Sequence, residues 1–193
     1  FEAMTVIAFS YFADVGIDFL VCEVGLGGRF DATNVLPSLM EIITPIGLEH
    51  IHLLGKTYSE IANEKAGIIK EDSVVVTAAQ HKEALSVIKD KAKAKNSKLY
   101  LYRKDFTTRK RGVSINGQQF DFYSSKKYIK ISTSLLGEHQ IGNMALVLES
   151  LILLQEKGIK ISDEAVYTGM SKVKWPCRFQ LIRENPIMLM DGA

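Results

Sequence analysis

Apolar residues recur at spacings of three and four over residues 2–13, with Met4, Ile7, Ala8, Tyr11 and Phe12 on one side, which predicts a core-facing helix. The run Phe19-Leu20-Val21-Cys22 after Gly16 is short, continuous and apolar, and it ends at Glu23 and a glycine cluster, as a buried strand would. Ile42-Ile43-Thr44-Pro45-Ile46 and Val74-Val75-Val76-Thr77 have the same character, with a helix from Tyr58 to Ile69 between them. Thr57 is placed to cap that helix, and Glu60, three residues on, completes a capping box. Strands alternating with helices imply an α/β fold, a mostly parallel sheet flanked by helices on both faces.

From about Lys98 to Thr133 the period changes to two, as in Val113-Ser114-Ile115, Phe120-Asp121-Phe122 and Tyr128-Ile129-Lys130-Ile131. Asn116-Gly117 marks a tight turn between the first two runs, so this region is expected to form a small antiparallel β annex, residues 98–133. The lysines at 89, 91, 93, 95 and 98 are interleaved with alanines and read as a solvated helix face. Helical periodicity returns from Gln140 to Lys157 and closes at Gly158. A shorter helix is expected from Asp163 to Val173, capped by Ser162, and Trp175-Pro176-Cys177-Arg178 then forms a rigid turn ahead of a strand.

Composition narrows the class. The 193 residues carry 24 Lys+Arg against 22 Asp+Glu, and 47% are hydrophobic, as in an ordinary globular protein. A net charge of +2 gives no basic footprint for nucleic acid. Cys22 and Cys177 stand far apart with no CxxC pair near either, which points to a reduced, cytoplasmic protein. The most apolar stretch, Leu146 to Leu154, is interrupted by Glu149 and Ser150 and is too short for a bilayer, which needs roughly 20 residues. No membrane partner is expected. The start at Phe1 and the stop at Asp191-Gly192-Ala193, just after a strand-like run, are what a segment of a longer protein would show.

Three tempting motifs fail. In Gly25-Leu26-Gly27-Gly28-Arg29-Phe30 the third glycine of a dinucleotide fingerprint falls at Phe30. Gly55-Lys56-Thr57 imitates the end of a phosphate loop, but His50 stands where its first glycine should be. His50-Ile51-His52 has no thiolate or third histidine at zinc-ligand spacing.

What remains are polar residues near the C-terminal ends of the expected parallel strands, where open α/β sheets place ligands. Glu23 ends the first strand and Glu49-His50 follows the second. If those strands pair, Glu23 and His50 can reach one cation; the alternative is a salt bridge or capping contact. Lys65 lies at a helix end, where a lysine also serves as a partner for the helix dipole. His139 and Asn143 share a face at the start of the long helix. Arg178 could reach a phosphate or pair with an acid.

Three blocks taken together, Glu23 to Val35, Ile43 to His50 and Glu64 to Lys70, resemble the central domain of folylpolyglutamate synthase/dihydrofolate synthase, the folate branch of the Mur ligase family. The resemblance continues through Gly137-Glu138-His139-Gln140-Ile141-Gly142-Asn143 and Trp175-Pro176-Cys177-Arg178 to Asp191-Gly192-Ala193. It implies a P-loop NTPase-like central domain over residues 1–183 and the start of a C-terminal ligase domain at 184–193.

The resemblance also implies a reaction: ATP phosphorylates the carboxylate of a pteroate or folate, and the amine of L-glutamate attacks the acyl phosphate. It assigns Glu23, His50 and Lys65 to Mg²⁺, with Lys65 N-carbamylated and Lys65 and His50 catalytic. It assigns Phe30, Asp31 and Ala32 to the pterin substrate, and Asn143, Arg178 and Asp191 to ATP. A cytoplasmic monomer is expected.

The phosphate loop and most of the glutamate site lie outside the matching blocks, so the chain alone is expected to be inactive. Cys177 stands where the family usually has glycine, which matters if that position needs a positive φ. A ligase acting on a cell-wall nucleotide precursor is disfavoured by Asp31-Ala32-Thr33-Asn34. A non-catalytic binding domain is disfavoured by the presence together of Glu23, His50 and Lys65.

Overall fold

The computed structural model describes residues 1–192; Ala193, the last residue of the tract from 184, lies outside the described residues. The chain divides into two units, Phe1–Val75 with Ala79–Leu99, and Val76–Ala78 with the residues from Tyr100 onward.

The first unit opens with α1 (Glu2–Val15), which stops at Gly16 in the left-handed region (φ 70), its amide on the carbonyls of Phe12 and Ala13. The helix is where periodicity put it, but its apolar side is not in a core: Met4, Ile7 and Tyr11 are exposed, and only Thr5 is buried. Nor is Phe19 to Cys22 a strand. It is irregular and open to solvent, with Val21 99% exposed. A strand needs a neighbouring backbone to take its N–H and C=O groups, and the sheet ends at β1 without recruiting this run.

β1 (Glu41–Ile43), β2 (Val74–Thr77) and β3 (Lys98–Leu101) form a three-stranded sheet in the order β1-β2-β3. Lys98 N donates to Ser73 O and Tyr102 N to Thr77 O, a constant offset that makes β2 and β3 parallel. Lys98–Leu101, grouped by its alternation with the antiparallel annex, therefore belongs to the parallel sheet. Every residue of β2 is buried, as expected of a strand covered on both faces.

The first unit also holds the short α2 (Ile51–Leu54), α3 (Tyr58–Ala66) and α4 (Lys82–Ala94), while Val76 and Thr77 of β2 and Tyr100 and Leu101 of β3 count with the second. Thr57 caps α3 with the full capping box to Glu60. The core joins Ile43, Ile46, Ile61, Ala62, Ala66, Ile69, Val75, Ala84 and Ile88. The fully buried Ile61 and Ile88 stabilise it by about 2 kcal/mol each.

In the second unit β4 (Thr107–Ser114), β5 (Gly117–Tyr123) and β6 (Lys127–Thr133) form the antiparallel annex in sequential order. The turn between β4 and β5 is Ile115-Asn116, one residue before the expected Asn116-Gly117, and Gly117 opens β5 opposite Ser114 at φ 149, where a Cβ would lie 2.4 Å from Thr133 O. Phe106, Phe122 and Tyr128 pack in succession, with centroid separations of 6.1 and 6.4 Å. Asp121, fully buried in β5, accepts from Arg111 Nε at 2.5 Å, Lys130 N at 2.9 Å and Tyr123 Oη at 3.2 Å.

α5 (Glu138–Glu156) follows, then α6 (Asp163–Lys172) capped by Ser162. Tyr167 of α6 places its hydroxyl on both the amide and the carbonyl of Ile129, closing the outer edge of β6. A hairpin of β7 (Gln180–Glu184) and β8 (Ile187–Met190) ends the described chain.

Candidate functional site

Two groups of the expected site residues lie in the first unit: the loop after the glycine cluster, and the end of α3. The loop is organised from inside by Asp31. One carboxylate oxygen accepts from Gly25 N (3.0 Å) and Leu26 N (3.1 Å), the other from Thr33 N (2.9 Å) and Thr33 Oγ1 (2.6 Å). Burial pushes the Asp31 carboxyl up, and the bonds from Thr33, Leu26 and Gly25 outweigh it, holding the group below its ordinary value. Asp31 is thus turned into its own loop. Phe30, its neighbour, is 82% exposed beneath the Arg29 guanidinium, 4.8 Å from the ring centroid. Ala32 opens a 3-10 turn, Ala32–Val35, which Asp31 caps.

This loop lies on the C-terminal end of α3. The last carbonyls of a helix lack intrahelical partners, and here Arg29 N donates to Glu64 O at 2.8 Å and Asn34 Nδ2 to Gly67 O at 3.2 Å. The approach leaves no room for side chains. A Cβ on Gly28 would come within 2.9 Å of Glu64 O and Lys65 O, and one on Gly67 within 2.4 Å of Arg29 Cβ. Lys65, half-buried in the last turn of α3, is therefore a near neighbour of the loop carrying Phe30 and Ala32.

Glu23 is exposed in the irregular stretch before the glycines, and His50 is exposed at φ 51 as the residue before α2, its carbonyl taking the amides of Leu53 and Leu54. The expected route by which they would meet, two paired strands, is absent because residues 19–22 are not a strand. Among the described residues no group of three or more His, Cys, Asp or Glu is arranged to hold a metal ion. Magnesium keeps several waters and takes few protein ligands. Glu23 and His50 are exposed and Lys65 is half-buried; a carboxylate and an imidazole are donor types that suit such a largely hydrated ion, and a lysine would join them only as a carbamate.

The second unit holds the remaining three. Asn143 is half-buried near the start of α5 and donates to Gln140 Oε1 at 3.3 Å. Arg178 follows Cys177, which adopts φ 60, the left-handed conformation that glycine takes without strain. Gly192 N donates to Cys177 O at 2.7 Å, which brings Asp191 to the Arg178 turn. Arg178 lines an open cleft of about 590 Å³ together with Trp175, Phe179, Lys174 and Arg183. Two residues with clear structural work, Asn34 and Lys70, carried no signal in the sequence beyond membership of the resembling blocks.

An α/β domain with a parallel sheet, an antiparallel annex and polar loops at one helix end is the class of structure these observations define. The chain belongs to the Mur ligase middle domain family, which matches residues 2–151. It is 44% identical over 196 residues to the dihydrofolate synthase/folylpolyglutamate synthase of Bacillus subtilis, covering 100% of this chain and 46% of that protein. A solved folylpolyglutamate synthase (FPGS) of Mycobacterium tuberculosis, complexed with ADP and AMPPCP, superposes with a TM-score of 0.91 at 34% identity, covering 100% of this chain and 44% of that one. A complex of FPGS with AMPPCP and folate gives a TM-score of 0.93 at 30% identity, covering 98% and 47%. The chain spans about half the length of the curated relatives it matches.

Proposed function

We propose that this chain is the middle part of an ATP-dependent ligase that adds L-glutamate to dihydropteroate or to a folate through an acyl phosphate, with residues 1–183 as the ATP-binding domain and 184–193 as the start of the next. The observation that carries the reading is the docking of the Arg29–Asn34 loop onto the Lys65 end of α3, through Arg29 N on Glu64 O at 2.8 Å. Relatives named for this activity and structures with AMPPCP and folate support it.

In this reading Phe30 and Ala32 meet the pterin ring, and Asp31 shapes the loop that offers them. Glu23, His50 and Lys65 hold Mg²⁺, which when bound offsets the charge of the phosphates. Arg178, Asn143 and Asp191 hold ATP, the Arg178 guanidinium countering phosphate charge. Once the substrate carboxylate carries phosphate, the amine of glutamate attacks the carbonyl carbon and phosphate leaves. No helix among the described residues is long and apolar enough to cross a membrane, and a cytoplasmic monomer agrees with this chemistry.

The test is Glu23→Gln in the full-length ligase that carries this chain. The change removes an exposed charge and no core volume, so folding should be kept while ATP- and glutamate-dependent ligation is lost. Undiminished turnover would overturn the metal assignment.

A further inference from the structure

Asn34 joins the loop to α3 from the loop side. Its Nδ2 donates to Arg29 O (3.1 Å) and to Gly67 O (3.2 Å), so one side-chain amide spans the loop and the helix end. Its acceptors are used as well: Lys70 Nζ donates to Asn34 O at 2.6 Å and to Asn34 Oδ1 at 2.7 Å. Both residues are half-buried. The ammonium fixes which way the amide faces, because with Oδ1 on Lys70 the Nδ2 must point at the two carbonyls.

We propose that Asn34, oriented by Lys70, is a positioning residue that locks the Arg29–Asn34 loop to the end of α3 and so sets where Phe30 and Ala32 stand relative to Lys65. The inference rests on the ligase reading and extends it to two residues without an assigned role. Only a side chain that donates twice and accepts once, at asparagine's length, satisfies all the partners. Aspartate would keep the shape and the acceptors for Lys70 but set a carboxylate oxygen against two carbonyl oxygens. Neither residue needs to touch a substrate for this role.

The experiment uses the full-length ligase with Asn34→Asp, Lys70→Met and Lys70→Arg. In the first two, kcat should fall about tenfold to a hundredfold, as expected of a small displacement of a reacting group. KM for the pteroyl substrate should rise, while KM for ATP stays within about twofold of wild type. Lys70→Arg, which keeps the charge and donors, should recover most of the loss. In the ligand-free enzyme the Arg29 amide, bonded to Glu64 O, should exchange its hydrogen faster in the first two variants than in wild type. If Asn34→Asp does not fold, Lys70→Met at its half-exposed site carries the test.

Unchanged kinetics and Arg29 protection would overturn the clamp. So would losses in all parameters that only follow the folded fraction. A wild-type enzyme without ATP- and glutamate-dependent ligation would overturn the ligase reading, whereas active wild type with unaltered variants sinks the clamp alone.

Discussion

The amide of Gly192 donates to the carbonyl of Cys177 over 2.7 Å, so a single backbone bond ties the turn before Arg178 to the residue after Asp191. Cys177 makes that bond from φ 60 and also donates its amide to Gln180 Oε1 at 3.1 Å. The left-handed conformation costs a residue with a Cβ about 1 kcal/mol. Cys177→Gly should therefore stabilise the chain by up to about 1 kcal/mol, a gain trimmed by glycine's greater freedom when unfolded. Cys177→Val, β-branched at a positive φ, should destabilise it. Urea denaturation checks both. Equal midpoints for glycine and valine would mean that the turn relaxes and that Cys177 is not held there by its neighbours.

Glu149 gives a pH-dependent prediction. It sits within α5, 2% exposed, and its Oε2 meets no hydrogen-bond partner among the described residues. Burial pushes its carboxyl above the ordinary value, a bond from Ser124 pulls the other way, and the charges of Glu156 and Asp105 push it further up. The unfolded chain loses this proton at the ordinary value and the folded chain only above it. In that window the folded state binds the extra proton, so the contribution is most favourable below the ordinary carboxyl value and is lost as pH rises through the folded one. Glu149→Gln removes the titration. Relative to wild type, the variant should gain stability between mildly acidic and neutral pH. A wild-type-minus-variant difference that stays flat across that range would refute the assignment.

Asn143→Ala should weaken ATP binding more than folate binding in the full-length ligase. The side chain makes one long bond to Gln140 within α5, so its loss should leave stability within about 1 kcal/mol of wild type. Separate titrations with AMPPCP and with the pteroyl substrate measure the two affinities. Equal losses would show that Asn143 serves the start of α5 instead.

Where local chemistry decides an element, the sequence was sufficient. The capping box Thr57–Glu60 and the Ser162 cap stand where their residues put them, and the first annex hairpin turns within one residue of Asn116-Gly117. Where a neighbour decides, it was not. Phe19 to Cys22 has strand composition but joins no ladder, and Lys98–Leu101 alternates like an annex strand yet pairs in parallel with β2. The site divides the same way. Family membership was legible in the glycine-rich block and the Lys65 block. That Asp31 turns inward follows from local bonds to Gly25, Leu26 and Thr33, whereas the joining of the two blocks by Asn34 and Lys70 depends on contacts across more than thirty residues of chain, which no local spacing encodes.

Lys65 carries the last prediction. It stands in the final turn of α3, where helix carbonyls concentrate partial negative charge and an ammonium is at home. An ammonium beside Mg²⁺ would repel it, whereas a carbamate presents two anionic oxygens suited to a hard cation. The two roles of this residue, dipole partner and metal ligand, therefore exclude one another at any moment, and the chemical state of the nitrogen distinguishes them. Native mass spectrometry of the full-length ligase in bicarbonate buffer should show one added carboxyl group that maps to Lys65. Lys65→Ala should lose ligation and regain part of it with added short-chain carboxylates, which supply the missing oxygens. Lys65→Arg, which keeps a cation for the dipole but cannot form the carbamate, should be as inactive as the alanine variant and at least as stable. An arginine variant that ligates normally, or a well-ordered Mg-ATP complex with a bare ammonium at this position, would leave Lys65 as a helix-end partner and remove it from the metal site.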